Sequence, residues 1–156
     1  MTLSNRLQED LTASIRDRDE LRRDTLRMVI AAAYNQSKQA RRDLTDDEVV
    51  QVLTRESKTR AESVEAYTAA GRTEAAAKEN AEIEIIRAYL PEQLDEAELQ
   101  RLVSEAVEES GATSAREMGK VMSVLMPKVR GRADGKQVSA LVAQELARRD
   151  LAEHSH

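Results

Sequence analysis

The residues with the clearest chemical potential lie in one stretch, 118–136, which reads MGKVMSVLMPKVRGRADGK. It carries five basic side chains against a single acid, Asp134, and three of the five glycines of the chain. Arginine and lysine donate charge-assisted hydrogen bonds to anions, of which phosphate is the most obvious candidate here. The residues that we predict to bind phosphate or RNA are therefore Lys120, Lys128, Arg130, Arg132 and Lys136.

The spacing around these cations predicts a loop between two helices. Pro127 should end the first helix, Gly131 should permit a turn, and Asp134 should start the second helix. The loop would then hold its cations near the free N–H groups of a helix N-terminus, which also attract anions. The alternative is a solvated basic loop whose positive charge merely balances the negative charge of an acidic helix at 92–109.

The three glycines have different expected roles. Gly119 lies inside a helix, where glycine costs about 1 kcal/mol relative to alanine. Either tight packing of two helices or the close approach of a ligand backbone would explain it, and a single sequence favours packing. Gly131 and Gly135 are predicted to serve the turn. Met118, Met122 and Met126 follow helical spacing and are predicted to lie in the core.

Residues suited to catalysis are few. The chain contains no cysteine, and its two histidines, His154 and His156, lie in a tail, 150–156, that we expect to be frayed. Their spacing could bind a metal only weakly. The sequence contains neither a nucleophile elbow nor a glycine-rich phosphate loop. We therefore predict no catalytic residue, no metal and no cofactor.

The net charge of −5 argues against indiscriminate binding to nucleic acid. This charge is unevenly distributed. Residues 1–90 carry a net −2 and residues 91–117 carry −6, whereas residues 118–149 carry 7 basic and 2 acidic side chains. No aromatic residue follows Tyr89, which excludes a base-stacking platform in that part of the chain. RNA bound there would be recognised through its backbone and its shape.

The composition predicts an all-α protein. The chain has 156 residues, no Phe and no Trp, so its core must be built from Leu, Val, Ile, Ala and Met. No apolar run approaches the roughly 20 residues of a membrane span. The N-terminus also lacks the pattern of a signal peptide. These features are compatible with a cytoplasmic protein, which is the expected location.

Helical periodicity predicts four helices in an N-terminal domain, residues 1–90. Ser4 is the expected cap of the first, which carries Leu7, Leu11 and Ile15 on one face. A second helix fades near residue 41. Thr45 and Glu48 form a predicted capping box for the third. Thr73 is the expected cap of the fourth.

Pro91 marks the predicted domain boundary, because proline disfavours a helix at the residue before it. Residues 91–149 then read as a bundle of three short helices. Their expected N-terminal caps are Asp95, Ser114 and Asp134. Val138, Val142 and Leu146 should face the core of this bundle.

Taken in order, several motifs resemble the GatB/YqeY family in its stand-alone, YqeY-like form. They are Leu26-Arg27-Met28, Ala70-Gly71-Arg72, Tyr89-Leu90-Pro91-Glu92-Gln93-Leu94, Met118-Gly119-Lys120-Val121-Met122, and the run from Met126 to Gly135. The resemblance covers nearly the whole chain. It implies an N-terminal helical domain followed by a smaller helical bundle.

A similar bundle forms the tail of the B subunit of glutamine-dependent aminoacyl-tRNA amidotransferase, where it contacts tRNA. The resemblance thus implies an RNA-binding accessory module that contacts tRNA or another structured RNA. This chain departs from the tail pattern at Pro127 and Gly135, and it lacks the kinase-like domain of that subunit. The alternatives are an adaptor that binds a translation or amidotransferase protein, or an accessory component of a carbon–nitrogen ligase.

Overall fold

The computed structural model describes residues 1–154, with no description of the His154 side chain; Ser155 and His156 lie outside the described residues. Seven α-helices and one short 3-10 helix make up this part of the chain, and no strand occurs in it. The predicted all-α class is confirmed. The chain divides into two compact units, Met1–Pro91 and Glu92–His156.

The N-terminal unit contains four helices. They are α1 (Leu3–Arg16), α2 (Glu20–Ala40), α3 (Asp46–Ala69) and α4 (Thr73–Arg87). One apolar cluster joins them, built on the buried side chains Leu7, Leu26, Val29, Val49, Leu53, Ile86 and Tyr89. The predicted stripe of α1 is buried only at its start, since Leu7 is 1% exposed and Ile15 is 48% exposed.

Local sequence fixes most of the helix ends in this unit. The predicted capping box of α3 is present, with Thr45 and Glu48 bonding reciprocally. Arg42 also donates to the Glu48 carboxylate, and this bond, followed by the one from the Thr45 backbone, lowers the Glu48 pKa to about 2. Gly71 follows α3 with φ +73°, a conformation that glycine adopts without strain.

Two predicted caps in this unit are wrong. Thr2, and not Ser4, caps α1, because its hydroxyl accepts from the Asn5 backbone at 3.1 Å. The residue before α4 is Arg72, and no side chain caps this helix. Thr73 is already its first helical residue, so its hydroxyl is one position too late.

Two polar side chains tie the N-terminal helices together. Arg60 of α3 is 5% exposed, and its Nε donates to Glu82 of α4 at 3.1 Å. Tyr89, just after α4, donates from its hydroxyl to Asp10 of α1. Burial, followed by the bond to Asp10, raises the Tyr89 pKa. The Arg6 guanidinium lies 4.8 Å from the centre of the same ring.

The C-terminal unit contains α5 (Glu96–Ser110), a 3-10 helix (Ala115–Glu117), α6 (Met118–Val129) and α7 (Gly135–His154). Its core is aliphatic, and the buried residues on these helices include Leu99, Val103, Val121, Leu125, Val138, Val142 and Leu146. The inward positions predicted for Val138, Val142 and Leu146 are confirmed. Asp95 caps α5 as predicted, accepting from the Glu98 backbone at 2.7 Å.

Pro127 does not end α6, which continues to Val129. Proline costs a helix one N–H donor and restricts the residue before it, but its fixed φ is itself helical. In the last turn of a helix that loss is small enough to be offset by packing, and Val129 is only 1% exposed. The predicted cap at Ser114 is also wrong, because Ser114 precedes the 3-10 helix but its side chain makes no capping hydrogen bond.

Helix α7 is longer than the sequence suggested. It continues to His154 and thus through most of the tail that we expected to be frayed. The second histidine of the tail, His156, lies outside the described residues.

Candidate phosphate-binding site

The loop between α6 and α7 is fixed by hydrogen bonds to the segment 92–94, earlier in the chain. The backbone N–H of Leu94 donates to the Arg132 carbonyl at 2.9 Å. The Gln93 side chain donates to the Gly131 carbonyl at 2.8 Å. Gly131 is buried and has φ +75°, as its predicted role in a turn requires. The loop is therefore held at its backbone and is not a loose connection.

Arg132 belongs to this scaffold. Its Nε donates to the Glu92 carbonyl at 3.0 Å, and a terminal nitrogen donates to the Lys128 carbonyl at 3.2 Å. The second bond satisfies one of the carbonyl groups that the end of α6 leaves without a helical partner. Two of its donors are thus used within the loop, which leaves this guanidinium less available for an external anion than the sequence predicts.

Two of the predicted cations form ion pairs. The Lys128 ammonium lies 3.2 Å from the carboxylate of Glu109 on α5. The Lys120 ammonium lies 3.1 Å from Glu117, and this contact, followed by bonds from Thr113, lowers the Glu117 pKa. Both pairs are exposed, so each is weak enough to exchange for a phosphate.

Arg130 and Lys136 remain without a carboxylate partner among the described residues. Both side chains are exposed, one at the end of α6 and the other in the first turn of α7. These two cations flank the loop that Gln93 and Leu94 hold at its backbone, and they are the most available of the five cations predicted from the sequence.

The start of α7 is less open to anions than the sequence suggested. Asp134 accepts from the Lys136 backbone N–H at 3.1 Å, as a capping residue does. A carboxylate therefore already occupies part of the helix N-terminus that we expected to attract phosphate. Contacts to a phosphate at this end of the loop must come from the side chains of Arg130 and Lys136.

Gly119 does not serve helix packing within this chain. It lies exposed in the first turn of α6, and a Cβ atom added there would meet nothing within 4 Å. The prediction that two helices approach each other at this glycine is wrong, because α6 turns the opposite face, with Val121 and Leu125, toward the core. Gly135 is equally unobstructed at the start of α7.

Arg116 is a candidate that sequence reasoning missed. It is exposed in the 3-10 helix and makes no ion pair with a described residue, and it precedes Lys120 by one helical turn. Lys120 and Arg130 are ten residues apart, which corresponds to about 15 Å along the helix. The structure therefore divides the basic segment into two clusters, one at each end of α6.

Other kinds of site find little support in the described part of the chain. No group of three metal-binding side chains occurs there. None of the described helices combines the length and apolarity that spanning a bilayer requires. A half-open groove of about 420 Å³ lies between α1 and α2, with Leu7, Ile30 and Tyr34 among its lining residues.

Comparison with known proteins identifies the family. A family model described as Yqey-like protein matches residues 4–146. The chain belongs to the YqeY-like family. The two motifs that the loop brings into contact, Glu92-Gln93-Leu94 and Gly131-Arg132, are among those on which the resemblance in the sequence was based.

A curated relative extends this comparison. This YqeY-like chain is 31% identical over 144 residues to altered inheritance of mitochondria protein 41, mitochondrial, from Pyrenophora tritici-repentis (strain Pt-1C-BFP). The match covers 89% of this chain and 78% of the relative. The name of the relative places it in mitochondria, and the cytoplasmic location expected for the present chain stays a prediction.

Proposed function

We propose that this YqeY-like protein binds structured RNA, with tRNA as the expected ligand, through the phosphates of the RNA. The observation that carries this proposal is the pair of exposed cations, Arg130 and Lys136, on a loop fixed at its backbone. A rigid loop loses little conformational freedom when it binds, so more of the interaction energy appears as affinity. In this role the protein catalyses no reaction by itself.

The other end of α6 supplies a second contact region. Arg116 and Lys120 are exposed there, and Lys120 needs only to exchange its surface pair with Glu117. Two basic clusters about 15 Å apart suit a polyanion better than a single small anion. The resemblance to the tail of the amidotransferase B subunit favours tRNA among such polyanions.

A gel-shift titration with total tRNA tests the proposal. The variant Arg130→Glu with Lys136→Glu removes the two exposed cations that flank the loop, without touching the buried core. If Arg116, Lys120, Arg130 and Lys136 each neutralise one phosphate, the logarithm of affinity should fall against the logarithm of salt concentration with a slope of about −3 to −3.5. We expect the variant to bind at least tenfold more weakly and to reduce the magnitude of this slope by about 1.5.

The matched control is Arg55→Glu with Arg72→Glu, which changes the net charge equally at exposed positions of the other unit. We expect its affinity to stay within about twofold of the parent protein. Equal losses in both variants would show that only net charge matters. An absence of any shift with the parent protein at low salt would also reject the proposal.

A further inference from the structure

One face of α2 carries a row of cations around a single exposed aromatic ring. Successive helical residues are about 100° apart, so Arg27, Tyr34, Lys38 and Arg41 lie within about 60° of one another around the axis. All four are exposed, and Tyr34 is 61% exposed. The row is about 21 Å long at the rise of an α-helix. Residues 20–42 carry 6 basic and 2 acidic side chains in a chain of net charge −5.

These cations are available. Arg27 and Arg41 form no salt bridge with a described residue, and Lys38 lies 5.5 Å from the centre of the Tyr34 ring. Arg41 ends the helix with φ +57°, a left-handed conformation that is uncommon for arginine. The cations of the C-terminal unit are mostly paired, whereas this row is left open to an external polyanion.

Tyr34 also forms part of the wall of the groove of about 420 Å³ between α1 and α2. The groove lies on the other side of the ring from Lys38. Its lining residues on α2, which are Ile30, Ala33 and Ser37, lie on one side of Tyr34 around the helix axis, and Lys38 lies on the opposite side. Its polar lining supplies hydroxyl, amide and carboxylate groups, from Thr2, Ser4, Asn5, Gln8, Ser37 and Asp43. A planar, hydrogen-bonding group could therefore enter beside the ring.

The same geometry disfavours an amphipathic protein helix as the occupant. Such a helix requires a continuous apolar seam on its partner. The other large apolar side chain exposed on α2 is Met28, at 55%, but it lies about 120° around the helix from Tyr34. Lys38 lies on one side of the aromatic ring and hydrogen-bonding groups lie on the other, while Arg27 and Arg41 lie further along the helix in each direction. This arrangement matches the base and the neighbouring phosphates of an RNA strand.

We propose that α2 and the adjoining groove bind an unpaired segment of RNA, with a base against Tyr34 and the phosphates on Arg27, Lys38 and Arg41. Asp43 in the groove accepts from amino groups of the base, while its charge keeps the phosphates on the cationic side. This site belongs to the N-terminal unit and does not depend on the proposed site at Arg130 and Lys136.

Fluorescence titration isolates this site from the other one. The full chain carries Arg116→Glu, Lys120→Glu, Arg130→Glu and Lys136→Glu throughout, which reverses the charge of the four cations proposed to contact RNA in the C-terminal unit. Tyr34→Trp then introduces the only tryptophan of the protein at the ring position. We expect a 12-nucleotide polycytidylate, whose bases carry an amino group, to quench its fluorescence. The same change at Tyr67, which also faces an arginine at 5.1 Å, should show no quenching.

Variants and competing polyanions then test the two parts of the contact, with binding followed by anisotropy of a labelled 12-mer. In the same background, Tyr34→Ala should weaken binding about tenfold, because stacking on one aromatic ring contributes that order of affinity. Replacing Arg27, Lys38 and Arg41 by Gln should reduce the slope of the logarithm of affinity against the logarithm of salt concentration by about 2 in magnitude. Circular dichroism checks that these exposed changes leave the helices intact.

Two results would overturn the inference. Poly-L-glutamate that competes as well as the oligonucleotide, at equal charge, would identify the face as a site for acidic proteins. A 12-base-pair RNA duplex that binds as tightly as the single strand, with Tyr34→Ala unchanged, would show attraction to phosphate without a base in the groove. Loss of tRNA binding at Arg130 and Lys136 leaves this outcome unaffected, so the two proposals fail separately.

Discussion

Arg130 and Arg132 are two residues apart and have the same chemistry, yet the structure assigns them different roles. Arg130 projects from the end of α6 without an ionic partner among the described residues. Arg132 donates to two backbone carbonyls and thereby joins the loop to the segment at Glu92. One side chain is available to a ligand, and the other holds the loop that presents it.

This difference predicts opposite consequences of alanine substitution for stability. Arg132→Ala removes two charge-assisted hydrogen bonds at a half-buried position, and we expect the free energy of unfolding to fall by about 1–2 kcal/mol. Arg130→Ala should change it by less than about 0.5 kcal/mol, because surface changes without partners are nearly neutral. Urea denaturation followed by circular dichroism measures both.

The ligand assay should give a different ranking for the same two variants. Arg130→Ala should weaken tRNA binding directly, whereas Arg132→Ala should do so only as the loop loosens near its unfolding transition. Equal stability of the two variants would contradict the scaffold role of Arg132.

Helix α6 presents one face to the core and leaves an exposed face that includes a glycine. Gly119 gains nothing from packing, since a Cβ there would meet open space. An exposed helical glycine without a packing role is destabilising, so its presence favours the remaining explanation, which is close approach of a ligand backbone. Lys120 next to it and Arg116 one turn before it are exposed in the same region.

We therefore predict a trade between stability and binding at Gly119. Gly119→Ala should raise the free energy of unfolding by about 0.5–1 kcal/mol, because alanine restricts the unfolded chain and meets no obstacle in the folded one. The same variant should bind tRNA severalfold more weakly. Thermal denaturation and the gel shift measure the two effects.

Gly131→Ala serves as the comparison, since its φ of +75° makes a side chain costly by about 1–2 kcal/mol. A more stable Gly119→Ala protein with unchanged tRNA affinity would mean that the RNA backbone does not approach this glycine.

The two compact units have separate apolar cores. One core is shared by helices α1, α2, α3 and α4 and includes Tyr89, and the other is shared by α5, α6 and α7. Each also keeps its own polar ties, such as the bond from Arg60 to Glu82 in the first unit and from Gln93 to Gly131 in the second. A set of helices with its own buried core has the basis for folding independently.

We expect the fragment 92–156 to fold alone and to unfold cooperatively on heating. The segment from Glu92 to Leu94 must be kept, because it holds the loop of the candidate site. Circular dichroism of this fragment should show a helical spectrum and a single sigmoidal transition. A matched fragment, 96–156, lacks these ties and should melt at a lower temperature. A broad, non-cooperative change in the longer fragment would contradict independent folding.

The sequence by itself determined the all-α class, the family and the caps of α3 and α5, whereas the caps predicted at Ser4, Thr73 and Ser114 were wrong. The two correct caps depend on local interactions, which are the reciprocal bonds of Thr45 with Glu48 and the cap that Asp95 provides three residues before Glu98. The prediction that Pro127 ends α6 was wrong as well. The N–H donor that proline lacks matters little in the last turn of a packed helix.

Only the tertiary structure decided which cations are free. Lys128 is neutralised by Glu109, and Arg132 is held by Glu92, at separations of 19 and 40 residues. Such partners meet only after the helices pack, so composition and spacing cannot distinguish a paired cation from an available one. The same reason explains why Tyr34, an ordinary helical residue in the sequence, lies between Lys38 and a polar groove in the folded chain.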